Sequence, residues 1–224
     1  SEYCRILTVA MDVADTDGCI TLLEKANKEF GQIDVLVNNA GMHSRGDLES
    51  IDATDVGAMV DINLRAPFIL SCAAIPYLKK SVSGAIVMVG SLAGMAPLQG
   101  AATYSGTKSG LRAFTYAISD ELRDTGIHVG LVSPGPIDTG FIMTEIDKVE
   151  DIVFSQPMSN TKEVADAIVR IAKGDAVEIT MPASSGKLVT LSYLFPALRR
   201  LLRPTLYKKG RKNKDKYRNR SFSN

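Results

Sequence analysis

Short, continuous apolar runs alternate along this chain with stretches that repeat apolar residues at helical spacing. That alternation constrains the fold more than any other feature. The runs are RILTVA at 5–10, IDVLV at 33–37, AIVMV at 85–89, IHVGLV at 127–132 and a last one at 177–181. Strands apolar on both faces belong to a parallel sheet covered by helices on both sides. The expected fold class is therefore α/β, a doubly wound parallel sheet.

The intervening helices carry their own punctuation. Asp15 or Thr16 caps a helix that runs to Phe30, with Ile20, Leu23, Ala26 and Phe30 at helical spacing and Gly31 as its stop. A helix over about 53–75 holds Val56, Met59, Val60 and Ile62, and Pro67 and Pro76 are expected to kink and end it. The next helix spans 103–124 and stops at Gly126. Residues 134–159 read as a long irregular stretch. Asn160 and Glu163 form a capping box for a helix over 163–173, closed by Gly174.

Tyr104 and Lys108 stand four apart, which places both on one helix face. A phenol titrates at about 10, too high for a base near neutrality, and a neighbouring ammonium stabilises the phenolate. Such a pair can exchange a proton with a substrate oxygen. The plainer alternative is a surface Tyr above a surface Lys. Ser91 follows the run at 85–89, at the strand end where open parallel sheets bind ligands. A hydroxyl there can donate to a developing alkoxide, or simply cap a turn. Asn38, Asn39, Ala40 and Gly41 end another strand with small residues and backbone polar groups that suit close ligand approach, or an ordinary turn.

Taken together, these pieces resemble the short-chain dehydrogenase/reductase family from Asp12 to about Met181. The order is Asn38-Asn39-Ala40-Gly41, then Asn63 in mid-helix within DINLRAPF, then Gly90-Ser91, Tyr104 thirteen residues later, Lys108, and Pro134-Gly135-Pro136-Ile137-Asp138-Thr139. The resemblance implies a Rossmann-like domain and an NAD(P)-dependent oxidoreductase. It implies Tyr104 as the acid/base and Lys108 as the group that lowers its pKa and binds the nicotinamide ribose. Ser91 would polarise the substrate oxygen, and Asn63 would hold a water in a proton relay through Lys108. Asn38, Asn39, Ala40 and Gly41 would pack beside the adenosine half of the cofactor, with Asp12 and Val13 near the adenine. Pro134, Gly135, Ile137 and Thr139 would border the nicotinamide. The helices that bear Asn63 and Tyr104 are the family's usual dimerisation surfaces, so a homo-oligomer is implied.

The chain departs from the family pattern at its start. Only eleven residues precede Asp12, and they hold neither the glycine-rich turn that cradles a pyrophosphate nor the strand end that separates NAD from NADP. NADP is slightly favoured over NAD, although the determinant is absent. In the order 3-2-1-4-5-6 the runs at 5–10 and 33–37 correspond to strands three and four. The two strands between them are missing, which leaves a slot of about 10 Å at ~4.8 Å per strand. The expectation is either a portion of a longer protein or a truncated form that binds cofactor poorly.

Met95, Pro97 and Leu98 follow Ser91, and Phe141, Ile142 and Met143 follow the Pro-Gly turn. In the family that the chain resembles these two segments flank the substrate, so Met95, Leu98 and Phe141, with Ser91 and Tyr104, imply a small hydrophobic alcohol or carbonyl such as a lipid, steroid, retinoid or aromatic ketone. The same side chains would equally fill a core or a subunit interface. Residues 140–159 are expected to form a mobile lid.

Charge is uneven. From Arg199 onward stand eleven Lys or Arg and one acid, whereas residues 1–198 carry a net −9. The domain boundary is placed after 187, with 188–224 an apolar-then-basic extension. Its apolar residues are interrupted by Pro196, Arg199, Arg200, Arg203 and Pro204. Short amphipathic helices on an anionic membrane surface suit that pattern. A helix packed on a partner, or a solvated basic end, suits it equally. Nucleic acid is not expected, because the few aromatics make no stacking platform. Cys4, Cys19 and Cys72 are too scattered for a disulfide framework or a zinc site, so no metal is expected. Their reduced state predicts an intracellular, cytoplasmic location, at the endoplasmic reticulum face if the tail meets membrane. The rival readings are a cofactor-poor binding or regulatory protein on the same scaffold, and a membrane-surface module driven by the tail.

Overall fold

A computed structural model describes residues 4–221. Four strands, β1 (Val35–Asn38), β2 (Ala85–Val89), β3 (His128–Pro134) and β4 (Glu178–Met181), form one parallel sheet in the order β1-β2-β3-β4. The helices are α1 (Thr16–Phe30), α2 (Ala53–Val60), α3 (Ala66–Leu78), α4 (Ala102–Glu121), the short α5 (Gly140–Met143), α6 (Thr161–Ala172), α7 (Ala183–Leu194) and α8 (Pro196–Ser221).

Side chains alternate through the sheet, as the period of two requires. Ile86, Met88, Val129 and Leu131 face α1, α3 and α4, packing with Cys19, Leu23, Leu70, Ala74, Leu78 and Leu111. Val87 and Val132 face the other way, onto Val164, Ala167 and Ile171 of α6. Helices therefore cover both faces, as a doubly wound sheet demands. Cover is incomplete at one edge: Leu36 is buried, while Val35 and Val37 of β1 remain about 40% exposed.

The helix ends follow local chemistry. The Asp15 carboxylate accepts from the Asp17 amide at the start of α1, and Gly31 takes the left-handed conformation at its end. Asn160 and Glu163 close a complete capping box on α6.

Three expectations are corrected. Residues 5–10 are not a strand; Ile6 is 84% exposed, and the segment is tied down through the ion pair of Arg5 with Glu29. A strand needs a neighbour for its amides, and no strand pairs with this segment among the described residues, so its apolar pattern has no ladder to join. Among the described residues the four strands are adjacent, with no empty slot between two of them. Second, Pro67 and Pro76 do not end the helix, which runs on from Ala53 to Leu78. A π-helical turn, Asp61–Arg65, interrupts it, and Pro67 falls at the first positions of α3, where a missing N–H is tolerated. This run has the length and apolarity of a membrane span, yet its face of Met59, Asn63, Ala66, Leu70, Ala74 and Leu78 is buried in the fold.

Third, the extension after 187 is not a set of short helices; it holds the end of α7 and the long helix α8. α8 lies against the turns at 146–155. Arg211 and Lys214 pair with Asp151, Arg218 pairs with Asp147, and Asn213 donates to the Phe154 carbonyl at 2.9 Å. The Lys214 ammonium is buried and donates to the Val149 carbonyl at 2.7 Å. Gly210 permits this contact, because a Cβ there would collide with the Asp151 carbonyl. The expected lid at 140–159 is thus braced from behind by α8.

Candidate active site

The carboxyl ends of β1, β2 and β3 converge beside α4, and the candidate side chains collect there. β2 delivers Ser91, which caps the short turn Leu92–Gly94 by accepting from the Ala93 amide at 3.1 Å. Ser109 of α4 donates to the Gly94 carbonyl at 2.9 Å and fixes that turn on the helix. α4 carries Tyr104 and Lys108 on the face toward β2. The Ser91 hydroxyl is the neighbouring side chain that most favours ionisation of the Tyr104 phenol. Lys108 is buried, and its ammonium donates to the Val89 carbonyl at 2.8 Å, two residues before Ser91. The sequence places these three together, and the structure does the same.

Burial lowers the Lys108 pKa to about 8. Burial also raises the Tyr104 phenol above its usual range, while the Ser91 hydroxyl and then the Arg45 charge pull it down. This differs from the expected arrangement. Arg45 is a second cation acting on the phenol; the Lys108 nitrogen lies 5.8 Å from the centre of the Tyr104 ring and gives one of its three N–H donors to Val89.

Asn63 sits fully buried in the π turn. Its side-chain oxygen accepts from the Met42 amide at 2.9 Å, and its nitrogen donates to the Met42 carbonyl at 2.9 Å and to Thr107 at 3.3 Å. Both ends of the amide are therefore engaged, and the side chain clamps the segment after β1, with one lone pair of its oxygen still open. Asn38 donates to Ser71 at 3.3 Å and to the Met88 sulfur, while its buried side-chain oxygen finds no partner among the described residues. Asn39, Ala40 and Gly41 are exposed. A Cβ on Gly41 would stand 3.2 Å from the Asn63 oxygen and 3.7 Å from the Lys108 nitrogen, so only glycine leaves the Lys108 ammonium open on that side.

Asp12 and Val13 lie in the turn before α1. The Asp12 carboxylate accepts from the Ala14 amide at 2.9 Å, and Arg65 of the π turn reaches the Ala14 carbonyl and the Thr16 hydroxyl. That tie joins the turn to the segment bearing Asn63. Pro134 ends β3; the Gly135 amide donates to the Met181 carbonyl at 2.7 Å, Ile137 bridges Ser159, and the Thr139 amide donates to the Ile137 carbonyl at 2.9 Å. Met95 and Leu98 are half-buried, the Leu98 amide donating to the Ser105 hydroxyl at 3.2 Å, and Phe141 of α5 is 46% exposed.

Two residues that sequence reasoning did not single out complete the site. His43 stacks on Tyr104 with ring centres 4.2 Å apart. Arg45 donates to His43 at 2.8 Å and to the Phe141 carbonyl at 2.8 Å, with its guanidinium 5.5 Å from the Phe141 ring centre. They stand two and four residues past Gly41, so proximity to that run was the only signal available. A cation and an imidazole make this end of the cleft less apolar than Met95, Leu98 and Phe141 alone suggest.

The sequence pattern of a family described as short chain dehydrogenase matches residues 2–150. The chain belongs to the short chain dehydrogenase family. Oxidoreductase BOA17 of Botryotinia fuckeliana (strain B05.10) is 30% identical over 200 residues, covering 89% of this chain and 72% of that protein. The 3-oxoacyl-[acyl-carrier-protein] reductase FabG of Escherichia coli (strain K12) is 30% identical over 174 residues, covering 76% of this chain and 71% of that protein. Among solved structures, the ligand-free aldohexose dehydrogenase of Thermoplasma acidophilum superposes with a TM-score of 0.71 at 24% identity, covering 80% of this chain and 78% of that one. The family consists of NAD(P)-dependent oxidoreductases, and this short chain dehydrogenase shares its Rossmann fold.

The residues present fit the nicotinamide half of such a cofactor. The buried Lys108 ammonium lies at the strand ends where a nicotinamide ribose would bind, and the exposed Asn39, Ala40 and Gly41 line the neighbouring strand end, on the side read as the adenosine half. A glycine-rich turn for the pyrophosphate is not among residues 1–224.

Proposed function

We propose that this chain moves a hydride between NAD(P)(H) and a hydrophobic alcohol or carbonyl compound, with Tyr104 as the acid/base. The observation that carries the reading is the convergence of Ser91, Tyr104 and Lys108 at the end of β2. When bound, the nicotinamide supplies or accepts the hydride. In the reducing direction Tyr104 gives its phenolic proton to the substrate oxygen as the carbonyl becomes an alcohol, and the phenolate is reprotonated from solvent. Ser91 donates to the same oxygen as negative charge builds on it. Lys108 holds the ribose hydroxyls, and Pro134, Gly135, Ile137 and Thr139 border the nicotinamide. Asn63 positions Met42 and, through it, the segment from Asn38 to Gly41. NADP is the first cofactor to test, since a fold relative, the gluconate 5-dehydrogenase of Burkholderia cenocepacia J2315, was solved with NADP and tartrate (TM-score 0.69, 22% identity, covering 76% of this chain and 71% of that one).

Tyr104→Phe tests the reading directly. Loss of the proton donor should cut turnover by at least about 10³-fold while leaving cofactor affinity within about twofold. Retained turnover would remove Tyr104 from the mechanism.

The same reading extends to the surroundings of the site. It places a homo-oligomer on the helices that carry Asn63 and Tyr104. It also places the enzyme in a reducing, cytoplasmic compartment, with the end of α7 and the start of α8 on an anionic membrane surface. Leu191, Leu194, Phe195 and Leu201 are exposed there beside Arg199 and Arg200, which supports such contact. Flotation with anionic vesicles should be lost in Leu194→Glu/Phe195→Glu; equal flotation of both proteins would contradict it.

A further inference from the structure

Beside Tyr104 lies a hydrogen-bond donor that the proposed reaction does not use. Arg45 donates from its guanidinium to His43 Nδ1 at 2.8 Å. A guanidinium offers donors only, so Nδ1 must be an unprotonated acceptor. The ring is therefore neutral and carries its one proton on Nε2. Burial, then the Arg45 charge, holds the His43 pKa down to about 3, against an opposing pull from Glu145, which agrees with a neutral ring. Nε2 is buried and makes no hydrogen bond among the described residues.

Arg45 is built in rather than adventitious. Its side chain is 7% exposed, a second nitrogen donates to the Phe141 carbonyl at 2.8 Å, and Nε, 3.7 Å from the Glu145 carboxylate, also lacks a hydrogen bond. A cation donating to Nδ1 draws electrons from the ring and makes Nε2–H a stronger donor. Stacking at 4.2 Å and 10° holds the ring that carries this donor against the Tyr104 ring. A buried N–H left without an acceptor is costly, and native proteins keep one mainly where function supplies the partner.

We propose that His43, oriented by Arg45, is a specificity-determining residue that donates from Nε2–H to a second oxygen on the substrate, next to the oxygen handled by Tyr104. The favoured substrates are then carbonyl compounds with an adjacent acceptor oxygen, such as keto esters, rather than simple ketones. A site built around a buried donor rejects the analogue that leaves it unpaired. This inference rests on the proposed role of Tyr104 for its geometry, but binding alone can test it.

The probes are ethyl benzoylacetate and hexanophenone, which match in length and differ in the ester oxygens. The full chain, labelled with ¹⁵N-histidine, has only two rings to resolve, His43 and His128. At about pH 6 the His43 ring should be the neutral Nε2–H tautomer. Ethyl benzoylacetate should bind about tenfold more tightly than hexanophenone and shift the His43 Nε2 signal. His43→Phe keeps the stack on Tyr104 and loses the donor, so the two affinities should come within about twofold. Arg45→Met should mix the tautomers and shrink the preference. Equal affinities in the unaltered protein, binding of neither probe, or a protonated His43 at that pH overturns the proposal. Preference without any turnover would sink the hydride-transfer reading and leave this one standing.

Discussion

At Tyr104 several effects compete over one proton. Burial holds the proton on, while Ser91 and Arg45 favour its release. The Tyr104–Lys108 spacing and the Ser91 strand end were legible in the sequence because they follow from helix and sheet periodicity. Arg45 and His43 were not, because a loop has no period to read and their partnership exists only after the chain folds. The engagement of Asn63 with Met42 was hidden for the same reason. His43 makes a prediction at this scale. Its folded pKa of about 3 lies below the ordinary value of 6.5, so between these values the folded state binds fewer protons than the unfolded chain. The stability it contributes is present above about 6.5 and is lost as pH falls toward about 3. The urea midpoint should drop between about pH 7 and pH 4.5, and His43→Phe should recover part of that drop. An identical drop in both proteins would contradict the assignment.

At the scale of elements, caps and buried runs were readable and partnerships were not. β2 falls on residues 85–89, where its apolar run stands, and α6 begins at its capping box, because both signals are local. Residues 5–10 carry a strand's composition, yet a strand is a pairing. The helix runs on through Pro67, which falls just after a π turn at the first positions of α3, and no residue in DINLRAPF announces that turn. A further link between elements escaped notice: Glu178 of β4 accepts from Arg112 and Tyr116 of α4, each at 2.7 Å, and from Ser133 of β3 at 2.7 Å. The carboxylate is 9% exposed, and those donors hold its pKa down against burial. Glu178→Ala leaves Ser133 and Arg112 short of their acceptor and should cost about 2–3 kcal/mol in denaturant unfolding. A cost below about 0.5 kcal/mol would show that the cluster does not tie β4 to α4.

For the molecule as a whole, the opposition of an acidic body and a basic end was plain from the sequence, but its use was not. Part of that charge is spent within the chain, where Arg211, Lys214 and Arg218 meet Asp147 and Asp151, Lys214 alone of the three being buried. Charge counts report how many cations there are and not what they face. The brace they form holds the segment after β3 that carries Phe141, and so reaches the cleft in which Tyr104 acts. The most direct measurement of that cleft's chemistry is deuterium transfer. The full chain is incubated with ethyl benzoylacetate and NADPH or NADH deuterated on either face of C4, and the alcohol is weighed by mass spectrometry. One labelled face should give alcohol carrying a single deuterium, and Tyr104→Phe should give none. Unlabelled product from every cofactor, or equal labelling by Tyr104→Phe, would contradict a hydride-transfer site built on Tyr104.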